Sequence, residues 1–269
     1  MLRQELSGRN RSYAALNVLP HVTSYGDQPV VVYQLSECGR YHGNFISASY
    51  RAMVRKAEWR KRLEKVHAQG RRSLPNKDGL WRELDSSTSS DALLMNIFCY
   101  PRLVWRCKVC GILGIELGSC PEFGFRPRVP LLSGATERTE IDMKLGNFLF
   151  EAKLTESDFQ AQRAELVEGY KDLKEVFECR QLPRRGEKYV SYQLIRNVLA
   201  VHALGLDFCT LLDARRPDLL EDCYKVICCV RSADLRARCK VLTWQELATF
   251  LPRTLRTFLG EKYGIIPAG

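Results

Sequence analysis

One stretch constrains this chain more than any other: Thr139-Glu140-Ile141-Asp142-Met143-Lys144-Leu145-Gly146-Asn147-Phe148-Leu149-Phe150-Glu151-Ala152-Lys153-Leu154. Two strand-like runs, 139–145 and 148–154, flank Gly146-Asn147, a two-residue hairpin turn signal. With those two residues in the loop, Asp142 falls opposite Glu151 and Glu140 opposite Lys153. One face then carries Ile141, Met143, Leu145, Phe148, Phe150, Ala152 and Leu154, all apolar. The other carries Glu140, Asp142, Lys144, Leu149, Glu151 and Lys153. A slip of one residue would scramble the apolar set, so burial of that set fixes the register.

In this register the Cβ atoms of Asp142 and Glu151 lie about 5 Å apart. Two carboxylates that close repel each other. A divalent cation removes the conflict, and Mg²⁺ (or Mn²⁺ in its place) takes one or two carboxylates together with waters and substrate phosphates. Lys153 shares the face and can orient a water or stabilise charge on a phosphate. The charges can equally form a cross-strand ladder on a solvated face, a common use of an antiparallel surface. The hairpin residues alone leave both readings open.

The chain has 269 residues, 45% of them hydrophobic, enough for one large domain or for a core domain with an extension. Its net charge of +10 favours a polyanionic partner, nucleic acid first. Much of that excess sits in 48–72, which reads as a basic helix with nine Lys/Arg against Glu58 and Glu64. Arg55, Lys56, Arg60 and Lys61 on it are candidates for contact with a phosphate backbone, with Tyr50 and Trp59 adding to it. A solvated charged face is the alternative. Pro75-Asn76-Lys77-Asp78-Gly79 reads as a loop. It divides a 1–79 extension from an 80–269 core.

The eleven cysteines are odd in number and scattered, and the first residues hold no continuous apolar run of a secretory type. No segment reaches the roughly 20 apolar residues of a membrane span. The expectation is a cytoplasmic protein with reduced thiols and no membrane partner. Cys107-Lys-Val-Cys110 has zinc-knuckle spacing with Cys120 nearby, but the second pair that a structural zinc site uses is missing.

Ser89-Ser90 before the apolar run 92–98 predicts a serine-capped buried helix. Residues 123–132 predict an irregular strand with two prolines. Phe159, Leu166, Tyr170, Leu173 and Phe177 keep helical spacing, which predicts a helix over 156–178. A buried helix follows over 189–204, then strands over 206–212 and 224–230. Thr243-Trp244-Gln245-Glu246 has the form of a capping box and opens the last helix. Together these elements predict a mixed α/β domain around one sheet.

Thr139-Glu140-Ile141-Asp142 followed by Phe150-Glu151-Ala152-Lys153 resembles the signature of the PD-(D/E)XK nuclease superfamily. With SSDALLMNIF, FEAKLTESDF, YQLIR and LTWQEL, about residues 80–250 resemble a bacterial branch of restriction-endonuclease-like proteins. The resemblance implies a restriction-endonuclease-like core, a mixed four- or five-stranded sheet flanked by helices, preceded here by the basic helical extension. It implies Mg²⁺-dependent cleavage of a phosphodiester bond. Asp142 and Glu151 match the metal-binding acids and Lys153 the motif lysine. The proline of the family signature is absent, since Glu140-Ile141 precede Asp142. An acid on the first core helix would be Glu83 or Asp91. Gln193 in YQLIR matches a glutamine that some branches carry after Glu-x-Lys, with Tyr189 and Asn197 one turn to either side and Arg196 as a phosphate contact. The function implied is a DNA endonuclease of restriction, defence or repair type, with a homodimer compatible with it. A second reading is a non-catalytic nucleic-acid-binding or assembly protein on the same fold. A third is a metal-dependent enzyme acting on RNA or nucleotides.

Overall fold

The computed structural model describes residues 2–24, 28–65 and 82–268. In chain order its elements begin with α1 (Leu2–Leu16), β1 (His21–Thr23), β2 (Val31–Tyr33), α2 (Ser47–Arg55), α3 (Ala57–Leu63), α4 (Ser90–Phe98) and α5 (Cys107–Leu113). Next come β3 (Glu122–Phe125), β4 (Val129–Pro130), β5 (Thr136–Glu137), β6 (Ile141–Leu145), β7 (Phe148–Ala152) and β8 (Ala161–Arg163). Then follow α6 (Ala164–Glu168), α7 (Leu173–Val176), β9 (Arg184–Arg185), β10 (Lys188–Val190), α8 (Tyr192–Leu204) and β11 (Asp207–Leu212). The chain ends with α9 (Pro217–Ile227), α10 (Ala233–Ala237), β12 (Cys239–Thr243), α11 (Trp244–Ala248) and α12 (Arg253–Tyr263). Two compact units result: residues 1–118 joined by 244–269, and residues 119–243. The expected division at residue 79 lies outside the described residues.

In the first unit, α1 packs along α12. Lys262 of α12 is fully buried, with Nζ 3.8 Å from the Tyr33 ring centroid and donating to Asn10 Oδ1 at 2.6 Å. Burial pushes its ammonium well below the ordinary lysine range. The helix α4 starts as expected, with Ser89 Oγ accepting the Ala92 N–H at 3.1 Å. The basic segment is not one helix over 48–72. Lys56 takes an extended backbone and separates α2 from α3, and residues 66–72 lie outside the described residues. The helix α2 buries Ser49, Tyr50 and Met53, whereas α3 buries nothing, so its charges rather than an apolar stripe dictate its surroundings.

The second unit is built on a five-stranded mixed sheet in the order β12-β11-β7-β6-β3. The strands β3, β6 and β7 form an antiparallel meander, and β11 runs parallel to β7 and to β12. The helices α8 and α9 flank the sheet. They close a core of Leu149, Phe208 and Leu212 from the sheet with Leu194, Val198, Leu219 and Val226 from the helices. The strand β7 is central, with a strand on either side, and all five of its residues are buried.

Two elements differ from those expected from sequence. Residues 156–178 are not a continuous helix: β8 pairs with β10, and α6 and α7 are separate short helices interrupted at Gly169. That pairing joins residues far apart in the chain, which local helical periodicity cannot register. Residues 224–230 are not a strand; they continue and end α9. Pro217 sits in the first turn of α9, and Leu219, Cys223 and Val226 make its buried stripe. The sheet takes β12 instead, with Leu211 beside Leu242. Tyr189 belongs to β10 rather than to the turn of helix before Gln193.

A candidate nuclease active site on the central hairpin

The register expected from sequence is the one formed. Leu145 pairs with Phe148, Lys144 with Leu149 and Met143 with Phe150. Gly146 takes a φ of 57°, the positive value that the first position of such a two-residue loop favours. Beyond the paired segment, Asp142 Oδ2 accepts the Ala152 N–H at 2.7 Å, so the carboxylate of β6 is tied to the strand carrying Glu151. Glu151 and Lys153 are only 2% and 5% exposed, so they are not rungs of a solvated charge ladder.

The helix α8 covers this pair. Lys153 Nζ donates to Glu151 Oε1 and to Gln193 Oε1, each at 2.8 Å. Asn197 Nδ2 donates to Glu151 Oε2 at 2.8 Å. Gln193 and Asn197 stand four residues apart and so share one helix face. Arg196 donates to Asn197 Oδ1 through Nε at 3.1 Å and Nη2 at 2.8 Å, and through Nη2 to the Glu140 carbonyl at 3.2 Å. Arg196 is 2% exposed, and its guanidinium faces inward as a brace on Asn197 and on the approach to β6. Lys144 lies over the Phe125 ring at 5.1 Å. Neither of these two cations is bonded to the paired carboxylates.

Charge states follow from this packing. Burial alone would raise the Glu151 carboxyl, but Lys153 first and then Arg196, with the Lys153 and Asn197 bonds, hold it below the usual carboxylate range. Burial alone would lower the Lys153 ammonium. The charges of Glu151, Glu156 and Asp142 overcome that and hold it above the ordinary lysine range.

Residues that no motif marked also shape the site. Glu156, three positions past Lys153, accepts the Leu154 N–H at 2.6 Å and adds negative charge beside the ammonium. Its carbonyl receives Arg216 Nη1 at 2.6 Å, and the Ser157 carbonyl receives Arg216 Nη2 at 3.1 Å. Asp218 pins the same guanidinium, with its closest contact 2.6 Å. That bond, more than their mutual charge, holds Asp218 below the usual carboxylate range and Arg216 above its own. Glu156 had a local signal in its nearness to Lys153; Arg216, sixty residues from Glu156, had none. Gln160 and Ser191 are non-glycine residues at φ 61° and 57°. Such backbone costs roughly 1–3 kcal/mol per position and collects near functional sites. Here it bounds the loop after Lys153 and the entry to α8, where the Tyr192 N–H bonds the Gln160 carbonyl at 2.9 Å.

The other sequence candidates belong to the first unit. Asp91 is buried and receives Arg62 Nη2 at 2.7 Å and Lys65 Nζ at 3.4 Å, and Lys65 also pairs with Glu83 at 2.9 Å. Both candidate acids thus join one ion cluster with the basic segment. Arg55, Arg60 and Lys61 are exposed, and Lys56 is half-buried with Nζ 4.4 Å from the Trp59 ring centroid. Cys107 is exposed, whereas Cys110 is buried with its thiol on the Val104 carbonyl. Among the described residues, no group of three or more His, Cys, Asp or Glu is placed to hold a metal ion. Also among the described residues, no helix is long and apolar enough to cross a membrane.

Comparison with curated proteins and with solved structures finds no match. A family model described as restriction endonuclease associating with ARP matches residues 14–264. The five-stranded mixed sheet flanked by helices, with its acid–acid–lysine hairpin, has the restriction-endonuclease-like architecture, and the chain belongs to that family.

Proposed function

We propose that the protein is a Mg²⁺-dependent nuclease that hydrolyses phosphodiester bonds of DNA, as an endonuclease of restriction, defence or repair type. The observation that carries the reading is the buried Glu151 and Lys153, braced by Gln193 and Asn197, with the half-buried Asp142 of the neighbouring strand tied to their backbone. The family match supports a nuclease acting on DNA.

The donor chemistry fits a hard divalent cation. Two carboxylates are the usual protein share of a Mg²⁺ shell, with waters and substrate phosphates supplying the rest. Each carboxylate oxygen accepts at two lone-pair positions, and the bonds from Lys153 and Asn197 take one on each Glu151 oxygen. Mg²⁺ would be held by Asp142 and Glu151, with Mn²⁺ able to substitute. When bound, the ion supplies Lewis acidity toward a phosphoryl oxygen and toward a water.

The protein's own groups do the rest. Lys153 orients the attacking water and stabilises negative charge on the phosphate, and its ammonium is aimed by Glu151 and Gln193. Asn197 and Arg196 keep Glu151 and the start of β6 in place. Purified protein incubated with supercoiled plasmid should nick or linearise it with Mg²⁺ or Mn²⁺ and leave it intact with EDTA. Plasmid left intact under every metal condition, by folded protein, would favour the non-catalytic binding role instead.

A further inference from the structure

We infer that the outer face of the small sheet β8-β10-β9 seats a nucleic-acid phosphate backbone beside the cleavage site; this rests on the nuclease reading above. The register places Arg163 opposite Lys188 and Lys188 opposite Arg185. All three are exposed, on the side of the sheet opposite the buried Tyr189. Three cations thus stand in one row across three strands.

Like charges directly opposite one another destabilise a sheet. Arg163 has a loose contact with Glu165 at 3.9 Å, with both side chains mostly in solvent. Among the described residues, Lys188 and Arg185 form no ion pair. The adjacent row shows the contrast. Its Arg184 stacks 4.0 Å from the Tyr189 ring centroid and pairs with Glu168 at 2.8 Å. One row is neutralised by the protein itself. The other is left positive at a cost to the sheet, and a polyanion laid across it relieves that cost.

The row is also tied to the site. The strand β8 ends the loop that leaves Lys153, and β10 leads into α8. The pairing continues past the strands, with the Gln193 N–H on the Phe159 carbonyl at 3.0 Å. Gln193 is the residue that receives the Lys153 ammonium. Gln193 is five residue steps from Lys188, so their Cα atoms are at most about 17 Å apart. That distance is about five base-pair steps of duplex rise. The row is therefore within reach of a backbone whose bond is cut at the site.

The test is binding of a fluorescent DNA duplex in EDTA, read by anisotropy over a salt series, so that cleavage plays no part. The variants are Lys188→Glu, Lys188→Arg and the triple Arg163→Gln, Arg185→Gln, Lys188→Gln. The triple variant should bind at least tenfold more weakly, and its log–log salt slope should fall by about 2.7, the loss of three phosphate contacts. Lys188→Glu should weaken binding while melting at or above the parent's temperature, because it places an acid between two arginines. Lys188→Arg should bind as the parent does. A triple variant with the parent's affinity and slope would overturn the inference and leave the nuclease reading standing. So would Lys188→Glu melting below the parent, since the row would then be structural. A parent that binds no duplex even at low salt would overturn both.

Discussion

The side-chain amide of Asn197 donates to Glu151 Oε2 at 2.8 Å, while Lys153 holds the other oxygen of the same carboxylate at 2.8 Å. Glu151 is thus oriented from a helix and from its own strand at once. Groups that orient a metal ligand typically contribute 10–100-fold to affinity or activity. Asn197→Ala is expected to slow Mg²⁺-dependent cleavage by about that factor. A cleavage time course beside a circular-dichroism melt checks it; a folded variant cutting at the parent rate would remove Asn197 from the site.

Lys153→Met leaves Glu151 buried without its cation. Breaking a buried pair from one side costs about 3–5 kcal/mol. In the parent, Glu151 is held below its unfolded value of about 4.3, so its contribution is present above that pH and lost as pH falls through the folded value. In the variant, burial acts without the lysine and raises the carboxyl, so the deficit is largest near neutral pH and shrinks on acidification. Urea denaturation of both proteins across pH measures this. A deficit that grows in acid would contradict it.

Arg216 reaches the Glu156 and Ser157 carbonyls just past Lys153. Hydrogen bonds from a charged group contribute about 1.5–3 kcal/mol each. Arg216→Ala should therefore loosen the loop and lower the cleavage rate about tenfold or more, with the circular-dichroism spectrum preserved. Asp218→Asn, which keeps the side-chain shape but removes the charge that pins Arg216, should have a smaller effect in the same direction. An Arg216→Ala protein with the parent rate would show that the loop holds itself.

Lys262 tests the first unit separately. Its folded pKa is lowered, so between that value and about 10.4 the unfolded chain binds the extra proton. Stability should then rise with pH through this window. Lys262→Met should flatten the rise and stabilise the protein by about 1 kcal/mol or more near neutral pH, as replacing buried charge with apolar volume commonly does. Melting temperatures across pH check both parts, and a destabilised Lys262→Met would show that the bond to Asn10 and the tyrosine rings outweigh the burial cost.

The centre of the fold was legible because its determinants are local. Alternation in Ile141–Leu145, the Gly146-Asn147 turn and the apolar face opposite Asp142 together define the hairpin register. Gln193 and Asn197 were legible as neighbours because one helical turn joins them. What failed depends on contacts made far away. The pairing of β8 with β10 breaks the expected helix, and β12 displaces 224–230 from the sheet. Arg196 is expected from sequence as a phosphate contact, and its guanidinium instead bonds Asn197 and the Glu140 carbonyl, because a sequence shows that a residue is charged but not which way its helix faces. The Arg216 clamp spans sixty residues and left no periodic trace.

The most direct measurement is single-turnover cleavage of a DNA duplex by the parent and by Asp142→Asn over a range of Mg²⁺ concentrations. Asparagine keeps the shape of the side chain and an oxygen to accept the Ala152 N–H, so the hairpin should persist. Metal-dependent cleavage by the parent, and a loss of about a hundredfold or more in the variant, is the expected result. Cleavage by Asp142→Asn at the parent rate and with the parent's Mg²⁺ dependence would contradict the assignment of the metal to Asp142 and Glu151.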